Sequence, residues 1–210
     1  GLCANLLTMV SNFNQSNTNK QLRQQRALET RAKLVAACET IIAESGFDAV
    51  RVDEVVRRAE VAKGTFFAHF PDKEHLLVNL IGKRLQSELA RLWGMPRPKT
   101  VQNVVEAHTP AAGFIGHDPF VFDLIERHMR VKDPKTADPI ATAFYQHTQV
   151  LEVSLADSSF RKDISPALLG EGVQIFLMRA IAFDPRSPTT DEAFQNRFTT
   201  YLEAWLLPAL

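Results

Sequence analysis

Apolar side chains recur at helical spacing from residue 28 onward. Leu28, Ala32 and Val35 fall three or four positions apart, and the pattern continues to Ile41. That spacing places them on one face of an α-helix. Gly46 follows, and a glycine directly after a periodic segment is typical of a helix C-terminus. The pattern therefore predicts a first helix that ends at Gly46.

The rest of the chain repeats this helical pattern, with Pro, Gly and Asp residues between the periodic segments. No segment combines alternating apolar and polar positions with β-branched side chains, so no sheet is expected. The predicted helices lie at about 53–59, 62–70, 72–93, 100–116, 119–131, 137–157, 165–183 and 190–207. The expected fold is all-α, with an N-terminal three-helix unit followed by a larger C-terminal helical bundle.

Three stretches of different character divide the chain. Residues 1–19 contain an amide- and hydroxyl-rich run and are expected to form a flexible N-terminal arm, so that order begins near Lys20. Residues 20–71 are expected to form the three-helix unit. Residues 72–210 are expected to form the bundle, which the helix at about 72–93 joins to the first unit.

The net charge points to no particular class of partner. Twenty-four Lys and Arg residues balance twenty-four Asp and Glu residues, so overall charge favours neither nucleic acid nor a membrane. Residues 20–36, however, carry five basic side chains and one acidic side chain. Such a basic edge can bind a phosphate backbone with modest, salt-sensitive affinity.

The cysteine content and the hydropathy of the chain indicate the cellular compartment of the protein. The two cysteines, Cys3 and Cys38, are too few for a disulfide framework, and a reducing cytoplasm fits best. No apolar stretch reaches the ~20 residues that a membrane-spanning helix needs. A cytoplasmic protein is therefore expected.

Residues 53–70 have the spacing of a helix-turn-helix. Val55, Ala59 and Phe66 are placed to face inward, and the third helix then directs its polar positions outward. In that arrangement the N-terminal half of the third helix would enter the major groove of DNA. An ordinary helical hairpin within a bundle fits the same apolar spacing.

The residues themselves resemble a known family. The run VAKGTFFAHFPDKEHL from Val61 to Leu76, preceded by Gly46-Phe47 and by Val52-Asp53-Glu54-Val55, is similar to the DNA-binding domain of TetR-type transcriptional regulators. The resemblance covers roughly residues 28–80, and the remainder matches only in length and helical character. It implies a homodimer that binds a palindromic operator in double-stranded DNA. It also implies an effector pocket in the bundle and, most often, repression that a small, largely apolar effector relieves.

The resemblance also implies which residues contact DNA. The matching positions in and beside the third helix are Ala62, Lys63, Gly64, Thr65, Phe67 and His69. Lys73 begins the fourth helix at the position of a phosphate contact, where a helix N-terminus and an ammonium both favour an anion. Charge alone adds three phosphate candidates in the first helix, although a solvated helix face is the preferred interpretation of them: Arg23, Arg26 and Arg31.

Four positions depart from the family pattern. Arg51 stands where Ser or Thr usually caps the second helix, so the cap hydrogen bond is missing or supplied otherwise, and Arg51 has the reach to contact a phosphate instead. Glu60 replaces the usual turn glycine, which costs roughly 1 kcal/mol if the turn keeps its left-handed conformation. Ala62 and Phe67 replace a common Ser and Tyr, and each loses a hydroxyl. These departures leave the expected fold unchanged and concern the operator sequence and the tightness of binding.

The C-terminal part is rich in aromatic and methionine side chains, and most of them are expected to be core. The functional interpretation is an apolar cavity with a few polar anchors. The side chains that pair an apolar wall with a polar tip are His108, His117, His128, Tyr145, His147 and Gln174. The candidate pocket residues as a set are Trp93, His108, Phe114, His117, Phe122, Met129, Tyr145, Gln174 and Met178.

The resemblance implies that the last two helices form the dimer interface as a four-helix bundle. Their candidate interface residues are Leu169, Phe176, Phe194, Phe198, Leu202 and Trp205. Gly170 and Gly172 would permit close helix approach.

Other chemistry has weaker support. His108, His117 and His128 are not spaced as metal ligands on one helix face, so no metal site and no cofactor are expected. The chain lacks a Gly-rich phosphate loop, a nucleophile elbow and a Cys–His signature, so an enzyme is not expected. Two alternatives stay open: a DNA-binding protein without a small-molecule effector, and a small-molecule-binding protein that has lost operator recognition.

Overall fold

The structure is a computed structural model that describes residues 2–129, 138–156, 159–182 and 191–208, with backbone only for residues 2–19. Within these ranges it is all-α, as predicted, and has no strand. Its helices are α1 (Leu2–Ser45), α2 (Val52–Arg58), α3 (Lys63–His69), α4 (Lys73–Trp93), α5 (Val101–Gly116), α6 (Pro119–Met129), α7 (Pro139–Ala156), α8 (Pro166–Ile181) and α9 (Asp191–Leu206). A 3-10 turn, Phe47–Ala49, lies between α1 and α2.

Helix starts coincide with the residues that favour them. Pro119, Pro139 and Pro166 each occupy the first position of a helix, where a missing N–H costs nothing and the fixed φ is already helical. The hydroxyls of Thr100 and Ser165 accept the N–H groups of Asn103 and Leu168 at 3.2 and 3.3 Å, capping α5 and α8. These local signals explain why the predicted bounds of the C-terminal helices agree closely with the structure.

Helix α1 is longer than predicted. It begins at Leu2, whereas residues 1–19 were expected to form a flexible arm and order was expected to begin near Lys20. Residues 2–45 contain neither Pro nor Gly, so nothing in the sequence terminates the helix. Once a helix has formed, extending it adds one hydrogen bond for each residue that is fixed.

The chain divides into two compact units, residues 1–76 and residues 77–210. The sequence placed the boundary between residues 71 and 72, so the first turn of α4 belongs to the first unit instead. Asp72 caps that turn, because its carboxylate accepts the N–H of His75 at 2.9 Å. α4 is a single helix whose residues fall in both units.

The first unit has a compact apolar core beneath its helix-turn-helix. Leu34, Cys38, Val55 and Phe66 are fully buried there. Burial raises the pKa of the Cys38 thiol to about 12, and a thiol that stays protonated is a poor nucleophile. The guanidinium carbon of Arg31 lies 4.2 Å from the centre of the Phe70 ring. Arg31 is therefore half-buried on an aromatic face.

The second unit packs α5, α7, α8 and α9 closely. Gly170 and Gly172 allow this, since a Cβ added at Gly170 would lie 3.0 Å from Cβ of Leu151, and one at Gly172 would lie 2.2 Å from Nε1 of Trp205. The close approaches that these glycines permit are therefore between helices of one chain, α7 to α8 and α8 to α9. Among the described residues, no helix is long and apolar enough to cross a membrane.

Candidate DNA interface and effector cavity

The turn between α2 and α3 has the geometry of a Schellman motif. The N–H of Val61 donates to the carbonyl of Val56 at 3.1 Å, and the N–H of Glu60 donates to that of Arg57 at 3.3 Å. Glu60 has a φ of 55°, in the left-handed region that normally selects glycine. The turn therefore keeps its left-handed conformation even though a glutamate replaces the usual glycine.

All eight residues that were predicted to contact DNA are at least partly exposed. Arg51, Ala62, Lys63, Gly64 and Phe67 are exposed, and the other three are half-buried: Thr65, His69 and Lys73. Within α3, Phe66 is fully buried, whereas the ring of its neighbour Phe67 is 49% exposed. The helix thus holds itself against the core on one side and presents Lys63, Gly64 and Phe67 on the other.

Lys63 is held by an acidic neighbour from α2. Its Nζ lies 2.7 Å from Oδ1 of Asp53, and the two side chains are 58% and 76% exposed. An exposed pair of this kind contributes little to stability. A phosphate that approached Lys63 would compete with the Asp53 carboxylate for the same ammonium.

Arg51 stands where a Ser or Thr usually caps α2, but its side chain does not supply the missing cap hydrogen bond. It occupies the N-cap of α2 without a side-chain cap hydrogen bond. Its Nη1 donates instead to the carbonyls of Asp48 and Val50, at 2.5 and 2.9 Å. Ala62 likewise caps α3 without a side-chain hydrogen bond. Both short helices of the motif therefore begin without the usual side-chain acceptor.

The basic residues of α2 are paired with acidic ones. Glu54 accepts hydrogen bonds from Arg57 at 2.8 and 2.6 Å and from Arg58 at 2.6 Å, and Arg58 also pairs with Glu44 at 2.7 Å. The hydrogen bonds from Arg57 and Arg58 lower the pKa of Glu54 to about 2. The positive charge of α2 is consequently balanced at its own surface.

The second unit contains an inner cavity of about 40 Å³ and an outer cleft of about 330 Å³. The inner cavity is lined by Leu85, Glu88, Leu89, Leu92, His108, Ala111, Ile115, Ala143, Phe144, His147 and Leu177. The outer cleft is lined by residues 95–99 together with Leu92, Asn103, Val104, Glu106, Ala107, His108, Val150, Leu151, Ser154 and Leu155. Leu92 and His108 line both, so they stand between the two spaces.

The predicted pocket residues are only partly brought together. Of the nine, His108 lines the two spaces, and Gln174 contacts His147, which lines the inner cavity only. Met178 is buried and Phe114, Phe122 and Met129 are half-buried, but none of these lines either space. Trp93, Tyr145 and His117 lie on the surface, with Trp93 and Tyr145 64% and 66% exposed, which corrects their assignment to a pocket wall.

Four of the lining residues missed at the sequence level come from α4. Leu85, Glu88, Leu89 and Leu92 line the inner cavity and recur every three or four positions, which is the spacing of one helix face. That stripe was visible in the sequence, but helical spacing alone does not distinguish a cavity wall from ordinary core.

Two buried histidines join α5 to α7 at the inner cavity. Nδ1 of His108 donates to the carbonyl of Val104 at 2.7 Å, and its Nε2 lies 3.0 Å from Nε2 of His147. Burial lowers the pKa of His108 to about 4 and that of His147 to about 3. Both rings are therefore neutral at pH 7.

Neutral rings fix the direction of every hydrogen bond in this pair. Since Nδ1 of His108 carries a proton, its Nε2 is an acceptor and receives the Nε2–H of His147. Nδ1 of His147 is then an acceptor as well, and the side-chain amide of Gln174 lies next to it, with Oε1 at 2.9 Å. A half-turn of that amide, whose two ends are equivalent in shape, places its NH2 group as the donor. The neutral network is then fully satisfied.

A buried carboxylate completes the inner cavity. Glu88 is 7% exposed and pairs with Arg84 and Arg91, each at 2.9 Å. Arg91 also donates to the carbonyl of Ala107 on α5. Glu88 is therefore already neutralised by two guanidinium groups from its own helix.

No group of three metal-binding side chains occurs in the ranges that the structure describes. His108, His117 and His128 are not brought together, since His108 pairs with His147, His117 is exposed, and Nδ1 of His128 lies 2.5 Å from Oδ2 of Asp138.

Residues 34–80, which include the whole helix-turn-helix, match the family model described as "Bacterial regulatory proteins, tetR family". Residues 34–80 therefore form a helix-turn-helix domain of the tetR family type. The match lies within the 28–80 range in which the sequence resembled that family, and it excludes an ordinary helical hairpin as the interpretation of residues 53–70.

Curated TetR-family relatives match mainly through this domain. The HTH-type transcriptional repressor KstR of Mycolicibacterium smegmatis is 33% identical over 69 residues, which are 33% of this chain and 34% of that protein. The HTH-type transcriptional regulator CymR of Pseudomonas putida is 28% identical over 63% of this chain and 66% of its own length. The chain thus spans about a third of the length of the KstR proteins that it matches.

Solved structures extend the likeness of fold to both units. Thermus thermophilus FadR, a TetR-family repressor crystallised with lauroyl-CoA, has a TM-score of 0.57 and 18% identity, over 86% of this chain and 97% of its own. Escherichia coli NemR in its reduced form has a TM-score of 0.57 and 17% identity, over 86% and 100% of the two chains. The TetR fold therefore covers the C-terminal bundle as well as the helix-turn-helix.

The predicted dimer residues need correction within this TetR fold. Leu169, Phe194, Phe198 and Leu202 are buried in the core of their own chain, so they offer no surface to a second one. Phe176 and Trp205 are half-buried, with ring centres 5.9 Å apart. The apolar pattern of α8 and α9 marked the core-facing side, because core and interface positions have the same chemistry.

Proposed function

We propose that this chain is a ligand-responsive transcriptional regulator of the TetR family, acting as a repressor. In this proposal a homodimer binds a palindromic operator through α3, and a small, largely apolar effector that binds the second unit releases it. The observation that carries the proposal is the exposed face of α3, with Lys63, Gly64 and Phe67, on a helix-turn-helix that matches the family. The similarity to KstR and FadR, which are transcriptional repressors, supports it.

The α3 face has the chemistry that a DNA major groove requires. Gly64 has nothing within 4 Å of an added Cβ, so the backbone there is open to a close approach. The Phe67 ring suits a thymine methyl, and Lys63 suits a phosphate or a guanine edge. Lys73 at the start of α4 would add a phosphate contact that fixes register.

The effector would act by shifting a population. The inner cavity is lined by four residues of α4, and α4 is the helix whose first turn belongs to the DNA-binding unit. A ligand that binds only one arrangement of α4 stabilises that arrangement at the expense of the other. Regulation of this kind involves no chemical step, so we propose no enzymatic activity, and binding to chromosomal DNA would place the chain in the cytoplasm.

Pairing of two chains would supply specificity. A single α3 makes few base contacts, and two of them linked at fixed spacing bind two half-sites as one unit. The surface of α8 offers apolar side chains for this role, because Leu168 and Ile175 are 48% and 65% exposed and lie seven residues apart on one face. We propose that the dimer interface is formed by these two positions together with the half-buried Phe176 and Trp205, and not by the buried candidates.

The decisive experiment is a fluorescence-anisotropy titration of the full chain at low salt. One duplex carries the DNA upstream of its own gene, and the other has the same length and a random sequence. We expect the first duplex to bind at least a hundredfold more tightly, in line with specific regulators. Equal affinity for the two duplexes would refute operator recognition.

Charge variants test the interface residue by residue. Lys63→Ala and Lys73→Ala should each weaken binding and reduce the dependence of log K on log salt by about one phosphate. Asp53→Asn should have the opposite effect, because it releases Lys63 and removes a carboxylate that faces the DNA. Lys162→Ala, an exposed lysine of the second unit, is the matched control and should change nothing.

One observation favours a second candidate function. The Lys63–Asp53 pair at 2.7 Å, with the strained Glu60 and the uncapped α2, is consistent with a small-molecule-binding protein whose operator recognition has been lost. If Asp53→Asn restores no specific binding and the wild type binds no operator, this second function is the better description.

A further inference from the structure

We propose that the outer cleft binds a compact organic acid, with its carboxylate at the mouth beside Arg97 and Lys99 and its apolar body directed inward toward His108. That this acid is the effector rests on the proposed function, whereas its binding to the cleft does not. Binding itself follows from the distribution of charge and apolar surface along the cleft.

Two basic side chains lie at the mouth of the cleft. Arg97 and Lys99 line it, and both are exposed. Among the described residues that line this cleft, Glu106 is the one carboxylate, and it accepts a hydrogen bond from the amide of Gln102 at 2.9 Å. Asn103 lies at the same rim, where its side-chain oxygen accepts the N–H of Lys99 at 3.3 Å. Two cations and an amide at one rim favour a carboxylate.

The walls behind the mouth are apolar. They comprise Leu92, Val104, Ala107, Val150, Leu151 and Leu155. The hydroxyl of Ser154, which also lines the cleft, already donates to the carbonyl of Val150 at 2.7 Å. A volume of about 330 Å³ lies at the lower end of the range for small-molecule sites. The ligand body is therefore a short chain or a single ring system.

The deep end of the cleft does not favour a charged group. His108 closes it, and both ring nitrogens of His108 already have hydrogen-bond partners in Val104 and His147. Behind His108, Arg84 and Arg91 already pair with Glu88 of the inner cavity, each at 2.9 Å, so a second carboxylate gains little there. An acid therefore enters with its tail inward and its carboxylate at the mouth.

The same groups disfavour other ligand classes. A cation gains nothing at Glu88, because Arg84 and Arg91 already pair with that carboxylate at 2.9 Å. A long acyl chain has no room beyond His108, since a cavity of about 40 Å³ holds about one water molecule. The cleft therefore selects for negative charge and for limited length.

Isothermal titration calorimetry of the full chain tests the proposal with three probes of equal chain length: octanoate, octanol and octylamine. We expect octanoate to bind with a stoichiometry of one per chain and a Kd at least tenfold below that of octanol. Octylamine should bind most weakly of the three. Equal affinity for octanoate and octanol, or binding of many molecules per chain, would overturn the proposal.

Variants locate the carboxylate and the body separately. Arg97→Gln and Lys99→Gln should each raise the Kd for octanoate about two- to fivefold, as expected for exposed ion pairs, and leave octanol unchanged. Lys83→Gln, an exposed lysine outside the cleft, is the matched control. Val150→Phe should fill the cleft and weaken octanoate and octanol alike. Octanoate affinity that none of the cleft variants changes would contradict the assignment.

Failure of the organic-acid site and failure of the proposed regulatory function give different experimental results. Specific operator binding without stoichiometric octanoate binding would overturn the organic-acid site alone. Stoichiometric octanoate binding with equal affinity for operator and random DNA would support the site and refute the regulatory role. Release of operator DNA by octanoate, but not by octanol, is expected if both are correct.

Discussion

Glu60 is the residue at which local conformational preference and the fold disagree most clearly. Its φ of 55° satisfies the Schellman geometry that ends α2, and the position would suit glycine better. A conformational cost at Glu60 was predictable from the sequence, but a change in the shape of the turn that avoids this cost was equally compatible with it. The structure shows that the turn kept its shape.

Glu60→Gly should therefore stabilise the first unit. We expect the free energy of unfolding to rise by about 0.5–1 kcal/mol, because relief of the left-handed strain exceeds the entropy that glycine adds to the unfolded chain. Urea denaturation measures the change. Glu60→Ala is the control, since it removes the charge but keeps the Cβ. An equal gain from both substitutions would assign the effect to charge instead.

The paired histidines of the inner cavity make stability depend on pH. Their pKa values, about 4 for His108 and about 3 for His147, lie below the usual value of about 6.5 because burial disfavours the charged form. Between pH 6.5 and pH 4 the unfolded chain binds protons at these positions and the folded chain does not. Stability should therefore fall as the pH drops through this range, by up to about 1.4 kcal/mol per pH unit for each histidine.

This dependence can be isolated from other acid effects by a variant. The double substitution His108→Gln with His147→Gln should reduce the slope of unfolding free energy against pH by up to two protons near pH 5. His117→Gln, which replaces an exposed histidine, is the matched control and should not reduce the slope to the same extent. Ring signals of His108 and His147 that titrate above pH 5 in the folded wild type would contradict the assignment, whether or not the double variant folds.

At the scale of helices, local signals determined most of what could be predicted. A Thr cap marks where α5 begins, and a Ser cap followed by Pro marks where α8 begins. These signals depend on neighbours in sequence only. The start of α1 was missed because polar composition suggested disorder while no residue there terminates a helix. The histidine pair was also beyond local reasoning, because 39 residues separate its members and the helix packing brings them together.

Packing between α8 and α9 depends on the absence of a side chain at Gly172. An added Cβ would lie 2.2 Å from Nε1 of Trp205, whose N–H donates to the carbonyl of Leu169 at 3.1 Å. Gly172→Ala should displace the indole and lower the free energy of unfolding by about 1–3 kcal/mol. Urea denaturation and tryptophan fluorescence report stability and indole environment respectively.

Gly113→Ala serves as the control for this prediction. Gly113 is also within a helix, but its added Cβ would only reach ordinary contact with Asp191 at 3.8 Å. It should stabilise the protein by about 0.5–1 kcal/mol through helix propensity. If Gly172→Ala behaves like Gly113→Ala, the close approach of α8 to α9 is refuted.

At the scale of the whole molecule, the proposed dimer depends on exposed apolar residues. The sequence alone does not distinguish these residues from buried apolar residues of the core. Leu169, Phe194, Phe198 and Leu202 have the chemistry of an interface but are buried within one chain. Ile175 is 65% exposed on α8. An aspartate at that position places charge in the centre of an apolar contact, where single residues carry much of the binding energy.

Ile175→Asp should therefore weaken the homodimer by at least tenfold, measured by sedimentation equilibrium or native mass spectrometry. Val153→Asp introduces the same charge at an exposed apolar position on α7, 44% exposed, and should leave the dimer intact. Equal dissociation by the two variants would show that α8 does not provide the interface. The monomeric variant should also lose preference for a palindromic duplex over a single half-site.

The buried thiol of Cys38 is a chemical probe of how often the first unit opens. With its pKa near 12 and no exposed surface, Cys38 should react with an alkylating reagent only while the DNA-binding unit is transiently open. In a Cys3→Ser background it is the one thiol of the 210-residue chain, so its labelling rate reports the opening of that unit separately from the rest. Operator DNA should slow this labelling in proportion to its occupancy, and an acid bound in the second unit should reverse that protection if the two units are coupled.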